Sequence, residues 1–116
     1  MSSSKQNQPY SGVYPIAPTP FHEDETIDLE GQKRVLDCMI DQNVDGICIL
    51  ANYSEQFLLT DAEREQLLVT FIEHIAGRVP VIATCSHFST RVSVERARSA
   101  EAVGADMIMV LSLIHI

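Results

Sequence analysis

Four polar residues in a row, Asn52, Tyr53, Ser54 and Glu55, follow a short apolar run at residues 46–50. Their side chains offer an amide, two hydroxyls and a carboxylate, which together can donate and accept hydrogen bonds. The apolar run contains two isoleucines and is typical of a strand buried on both faces of a parallel sheet. Because loops converge at the carboxyl ends of parallel strands, the pattern predicts a site for a small polar ligand there.

Further candidate residues follow other predicted strands. Thr19 comes after the first strand, and His87 after the third, where it either contacts substrate hydroxyls or is an ordinary loop residue. Cys85 has no base beside it in sequence and is interpreted as a packed small residue rather than a nucleophile. Glu55 is interpreted as a structural residue that holds loop amides. For residues 52–54, the alternative is that they satisfy each other and the backbone at a strand end.

The strands that must position these groups recur at regular intervals. Apolar segments predict strands at residues 13–17, 46–50 and 81–84, and another that begins near Met107. Their starts are about 30 residues apart, the size of one βαβ unit. Neither G-x-G-x-x-G nor G-x-x-x-x-G-K-[ST] occurs, which disfavours a nucleotide-binding sheet. The pattern predicts an α/β fold of about four β/α units, the amino-terminal half of a (β/α)8 TIM barrel, since a whole barrel needs about 250 residues.

Helices are predicted between the strands from their caps. Asp28 can cap the first helix, and Thr60 followed by Glu63 forms the capping box of the second, which runs to residue 76. The third helix covers residues 90–103. Each helix therefore begins shortly after the carboxyl end of a strand, where its first amide groups can face a ligand.

Composition limits the possible partners. The 116 residues carry a formal net charge of -8, which argues against nonspecific binding to nucleic acid or to an anionic membrane. The odd number of cysteines and the lack of a C-x-x-C pair argue against a disulfide framework or a zinc site. No metal and no cofactor are expected. Residues 1–11 are polar and predict a disordered tail rather than a signal peptide, so a cytoplasmic location is expected.

Five landmarks in order resemble the dihydrodipicolinate synthase and N-acetylneuraminate lyase family. They are G-V-Y-P-I-A-P-T-P-F at residues 12–21, D-G-I-C-I-L-A-N-Y-S-E at 45–55, L-T-D-A-E-R at 59–64, V-P-V-I-A at 79–83 and V-G-A-D at 103–106. The family usually has G-T-T-G-E or G-S-T-G-E where this chain has A-N-Y-S-E. That form, together with S-H-F-S-T-R at residues 86–91, resembles a branch of the family that dehydrates 2-keto-3-deoxy sugar acids.

The resemblance implies a Schiff-base lyase that acts on a 2-keto acid, with the substrate carboxylate held by the loop after the second strand. By position, Asn52 replaces a hydroxyl residue of the proton relay, and Tyr53 replaces one that binds the carboxylate. Ser54 replaces a glycine, and Thr19 matches the threonine of the family's T-P-F segment. Because an amide cannot shuttle a proton, Tyr53 or Ser54 would have to supply the hydroxyl of the relay.

The resemblance also implies catalytic groups that this chain does not contain. The family's imine-forming lysine is on the sixth strand and its relay tyrosine on the fifth, whereas the lysines here are Lys5 and Lys33 and the tyrosines are Tyr10, Tyr14 and Tyr53. We expect both groups beyond the end of the chain. The 116 residues alone are therefore expected to be inactive.

The expected organisation has three parts. The tail at residues 1–11 precedes the β/α units at residues 12–110, and residues 111–116 form an aberrant end. That end resembles a translated transposase sequencing adapter and is hypothesised to be non-native; a genuine apolar strand end is the alternative.

Two classes of function follow from these expectations. The first is a dehydratase that gives a 2-oxo acid semialdehyde, or, alternatively, dihydrodipicolinate synthase or another 2-keto acid aldolase of the family. The second is a non-catalytic half-barrel module that binds a keto acid or a partner subunit. The expected partner is a small-molecule 2-keto acid, and the resemblance implies a homo-oligomer, in this family usually a tetramer.

Overall fold

The structure, a computed structural model, describes residues 10–111. Its helices and strands alternate in the order α1 (Leu29–Asp41), β1 (Ile47–Ile49), α2 (Asp61–Ile75), β2 (Val81–Thr84), α3 (Thr90–Val103) and β3 (Met107–Met109). Two short 3-10 helices, Asn52–Ser54 and Gln56–Leu58, lie between β1 and α2. Apart from residues 10, 11 and 111, the expected tail and the expected aberrant end lie outside the described residues.

The three strands form one parallel sheet in the order β1, β2, β3. Predicted strand 13–17 is present as an extended segment that makes a single parallel bridge to β1, between Ile16 and Cys48. It is shorter than a full strand because Pro15 has no N–H to donate to the ladder. Four extended segments nevertheless run side by side, so their carboxyl ends meet at one edge.

The core lies between the sheet and the helices. Ile47 and Ile49 of β1 and Leu67 and Phe71 of α2 are fully buried, so α2 packs its apolar stripe directly onto the sheet. The outer strand is different, because Ile108 of β3 is 47% exposed. Burial is therefore deepest at the middle of the described sheet.

The predicted helix starts are confirmed by their caps. Asp28 accepts a hydrogen bond from the Gly31 N–H at 2.8 Å. Thr60 accepts one from the Glu63 N–H at 3.1 Å, and the Glu63 carboxylate accepts one from the Thr60 N–H at 2.9 Å, which completes the capping box. These caps fix where the loops after the strands end and the helices begin.

Candidate functional site

The carboxyl ends of the four extended segments form one edge of the sheet, which we call the carboxyl edge. It comprises Thr19, the loop at residues 50–59 after β1, the loop at residues 85–89 after β2, and Leu111 after β3. All the predicted site residues lie on this edge. Side-chain hydrogen bonds and a ring contact link each segment to its neighbour there.

Thr19 and Ser54 join the first segment to the loop after β1. The Thr19 hydroxyl donates to the Ser54 carbonyl at 2.7 Å, and the Ser54 hydroxyl donates to the Ala17 carbonyl. Thr19 is 7% exposed and Ser54 is fully buried. Both hydroxyls were predicted to bind substrate; in the structure they are engaged in a reciprocal contact that holds the loop against the first segment.

The loop after β1 is shaped by two residues in the left-handed region. Leu50 has φ +58° and Glu55 has φ +61°, a conformation that non-glycine residues rarely adopt. They bracket the first 3-10 helix and turn the chain sharply on either side of it. Unusual backbone of this kind is common where a loop presents groups to a ligand.

Asn52 and Tyr53 are the exposed residues of that first 3-10 helix, and Tyr53 is 67% exposed. The Asn52 side-chain oxygen accepts a hydrogen bond from Gln56 Nε2 at 2.9 Å. Within residues 10–111, no hydrogen bond is made by the backbone N–H groups of Asn52 or Tyr53. These two amides and the Asn52 NH2 group can therefore donate to the oxygen atoms of a ligand.

His87 lies in the loop after β2, next to an aromatic pair. Its Nδ1 accepts a hydrogen bond from the Ser89 N–H at 2.9 Å, so in the neutral ring the proton is on Nε2 and that nitrogen is a donor. Phe88 is 6.1 Å from Phe57, ring centroid to ring centroid, and both rings are exposed. The aromatic pair joins the loops after β1 and β2.

Two arginines from the helices support the end of β2. Arg64 Nη2 donates to the Thr84 carbonyl at 3.0 Å, and Arg96 Nη1 donates to the Ser86 carbonyl at 2.8 Å. Burial and then the charge of Arg96 lower the pKa of Arg64 to about 10. The buried Ser86 hydroxyl accepts from the Leu111 N–H at 2.7 Å, which links the ends of β2 and β3.

Cys85 is 1% exposed, and burial raises the pKa of its thiol, against the opposing charges of Arg64 and Arg96. A protonated, buried thiol is a poor nucleophile, which supports its interpretation as a packed residue. Among residues 10–111, no three His, Cys, Asp or Glu side chains are grouped so that they could hold a metal ion.

The structure differs from the prediction at Glu55. In the described part of the chain its carboxylate makes no hydrogen bond or ion pair. Its backbone is what shapes the loop, since the Glu55 N–H donates to the Asn52 carbonyl and its own carbonyl accepts from Leu58. The Glu55 side chain is exposed.

Gln56, Arg64, Arg96 and Ser86 were not identified from the sequence. Arg64 and Arg96 lie on helices, where an arginine is usually a solvated surface residue. Gln56 directly follows the polar run, and its proximity to Asn52 was the one signal that could have identified it. The structure does not join His87 to Asn52 or Tyr53 by any hydrogen bond among the described residues.

A family model described as the dihydrodipicolinate synthetase family matches residues 9–112. The chain belongs to this family. The match spans all five landmarks and nearly all of the chain, so the resemblance seen in those landmarks is confirmed.

Curated relatives come from more than one enzyme of the family. The chain is 48% identical to the L-2-keto-3-deoxyarabonate dehydratase of Azospirillum brasilense. The match spans 113 residues, which are 97% of this chain and 37% of that protein. It is 35% identical over 102 residues to a 4-hydroxy-tetrahydrodipicolinate synthase of Stenotrophomonas maltophilia, with coverages of 88% and 34%. The chain thus spans about a third of the length of the curated relatives it matches.

Solved structures agree with the fold. The dihydrodipicolinic acid synthase family protein YagE of E. coli K12, solved with pyruvate, superposes with a TM-score of 0.83 at 31% identity, covering 87% of this chain and 34% of that one. Dihydrodipicolinate synthase of Bacillus clausii gives 0.82 at 30% identity, with coverages of 85% and 33%. The α/β prediction is confirmed: the chain forms the first β/α units of a TIM barrel. No helix within residues 10–111 is long and apolar enough to cross a bilayer.

Proposed function

We propose that this chain supplies the amino-terminal part of a Schiff-base lyase that dehydrates a 2-keto-3-deoxy sugar acid, with 2-keto-3-deoxy-L-arabonate as the substrate. The substrate's ketone condenses with a lysine amine of a later strand and releases water. The imine makes the C3 protons acidic, and loss of one of them expels the C4 hydroxyl as a second water. Hydrolysis of the imine returns the lysine and, after tautomerisation, gives a 2-oxo acid semialdehyde.

The observation that carries this proposal is the set of donors at Asn52 and Tyr53. Two backbone N–H groups without an acceptor in the described chain lie on the carboxyl edge together with the NH2 group of the exposed Asn52. Such a group fits the two oxygens of a carboxylate. The 48% identity to a 2-keto-3-deoxyarabonate dehydratase supports a sugar acid as the rest of the ligand.

The site residues then divide into those that bind and those that support. Asn52 and Tyr53 hold the carboxylate, and the His87 Nε2–H donates to a substrate hydroxyl. Thr19 and Ser54 keep the loop in place through their buried contact, rather than touching the substrate. Glu55 contributes the left-handed turn of the backbone.

Tyr53 is the residue that we propose for the relay hydroxyl. The alternative, Ser54, is fully buried with its hydroxyl donated to Ala17, whereas Tyr53 is 67% exposed. In the full-length protein, Tyr53→Phe should lower kcat by about 100-fold or more with a smaller change in KM, because a positioned proton donor contributes that much. Tyr14→Phe, away from the carboxyl edge, is the matched control. A Tyr53→Phe variant with normal kcat would remove Tyr53 from the relay.

Borohydride trapping with a 2-keto acid tests the lyase mechanism. The full-length gene product should gain the mass of the reduced adduct on a lysine, because borohydride reduces the imine to a stable amine. The 116-residue chain should gain none. Adduct formation at Lys33, which lies on α1 and pairs with Glu30 at 3.2 Å, would contradict the proposal, as would a full-length protein that binds the keto acid without trapping.

A substrate panel separates the dehydratase from the alternative within the family. The 35% identity to a 4-hydroxy-tetrahydrodipicolinate synthase keeps that activity as the second candidate. We expect turnover of 2-keto-3-deoxy-L-arabonate and little condensation of pyruvate with aspartate semialdehyde. The reverse preference would assign the chain to the synthase. We further propose that the full-length protein is a homo-oligomer, which sedimentation velocity would test.

A further inference from the structure

Gln56 is a buried residue next to the proposed carboxylate site. It is 3% exposed, and its Nε2 donates to Asn52 Oδ1 at 2.9 Å, whereas Asn52 itself is exposed. Gln56 Oε1 is buried and has no hydrogen-bond partner among the described residues. The amide group of Gln56 therefore makes its one described side-chain contact with Asn52.

This contact decides what Asn52 offers to a ligand. A carboxamide has an acceptor oxygen on one side and an NH2 donor on the other. With the oxygen taken by Gln56, the NH2 group remains for the ligand. If Asn52 were turned over, its oxygen would face the ligand and repel a carboxylate. The orientation of an exposed carboxamide is set by the hydrogen bonds that it makes, and the one described here is with Gln56.

We infer that Gln56 is a positioning residue that keeps the NH2 group of Asn52 turned toward the substrate carboxylate. The inference rests on the proposed function for the identity of the ligand. The contact itself stands on the geometry of the two side chains.

The decisive variant is Gln56→Glu in the full-length protein, with 2-keto-3-deoxy-L-arabonate as the probe. An ionised carboxylate at this position accepts and does not donate, so Asn52 must turn its NH2 inward and present its oxygen. KM should rise by about tenfold or more, with a smaller change in kcat, because a charge-assisted hydrogen bond is replaced by repulsion. When the introduced carboxyl is protonated it can donate again, so KM should return toward the wild-type value as the pH is lowered.

Gln56→Met is the matched variant, similar in length and without a donor or a charge. Its KM should rise less and should not recover at lower pH. If Gln56→Glu does not fold, the KM of Gln56→Met alone tests the inference. Wild-type KM in the folded variants across the pH range would overturn the inference.

A second readout is independent of turnover. In amide NMR spectra of the full-length protein, the Gln56 side-chain NH2 should exchange slowly with solvent and should shift in Asn52→Ala. Absence of that shift would overturn the inference even in an active enzyme. If the wild-type protein turns over no 2-keto acid, the proposed function fails, and the NMR result still decides whether Gln56 orients Asn52.

Discussion

The hydroxyl of Thr19 holds the loop after β1 through one buried contact. It donates to the Ser54 carbonyl at 2.7 Å and is 7% exposed. Thr19→Val keeps the shape but leaves that carbonyl unpaired, so the free energy of unfolding should fall by about 1–3 kcal/mol in urea titrations.

Two variants control for this change. Thr19→Ser retains the hydroxyl, so its free energy of unfolding should fall much less. Thr70→Val removes a hydroxyl that bonds its own helix at an exposed position and should stay within about 0.5 kcal/mol of wild type. If Thr19→Val and Thr70→Val lowered the free energy of unfolding equally, the buried contact of Thr19 would add no stability beyond that of an ordinary surface hydroxyl.

The left-handed backbone of Glu55 is a strain that a single substitution can relieve. A non-glycine residue in this region costs roughly 1–2 kcal/mol, and the Glu55 side chain is exposed. Glu55→Gly should therefore keep or raise the free energy of unfolding. Glu73→Gly, at an exposed position inside α2, should lower it by about 1 kcal/mol. A similar loss in both variants would argue against strain at Glu55.

At the scale of elements, an ion-pair cluster joins α1 to α2. Asp37 of α1 lies 2.8 Å from His74 Nε2 and 3.2 Å from Arg78 Nη2. His74 thus forms a contact between the two helices. The hydrogen bond with His74, followed by the one from Arg78, lowers the pKa of Asp37.

A pH dependence follows from this cluster. Because the pKa of Asp37 is lower in the folded chain, its stabilisation is fully present above the ordinary aspartate pKa of 3.8 and is lost as the pH falls through the lowered folded value. The difference in unfolding free energy between wild type and Asp37→Asn should shrink in that acid window. In a His74→Ala background, which removes the hydrogen bond that lowers the pKa of Asp37 most, the same trend should be smaller. A constant difference for Asp37→Asn would contradict the linkage.

The whole described sheet has an open side. In residues 10–111 no strand pairs with the outer edge of β3, where Ile108 is 47% exposed. Open edges promote pairing between chains, and a charge on the edge opposes it. The 116-residue chain should therefore self-associate with rising concentration in sedimentation velocity, and Ile108→Lys should reduce this. Val69→Lys, at an exposed apolar position on α2, should leave the self-association unchanged. If both variants reduced self-association equally, the added net charge would be the cause and not the open edge.

The sequence by itself determined the alternation of strands and helices and the family, and it predicted the edge on which the candidate site lies. These features depend on local signals, which are apolar runs, caps such as Thr60 with Glu63, and landmark segments. Each of these signals lies within a few consecutive residues. The tertiary structure decided which group each side chain on that edge contacts. Ser54 is buried and donates to the Ala17 carbonyl, and Glu55 forms a left-handed turn of the backbone. Gln56 and Arg64, which were not predicted, also make contacts on this edge. The reason is physical, because whether a polar group meets a carbonyl, an amide or solvent depends on segments far apart in the chain.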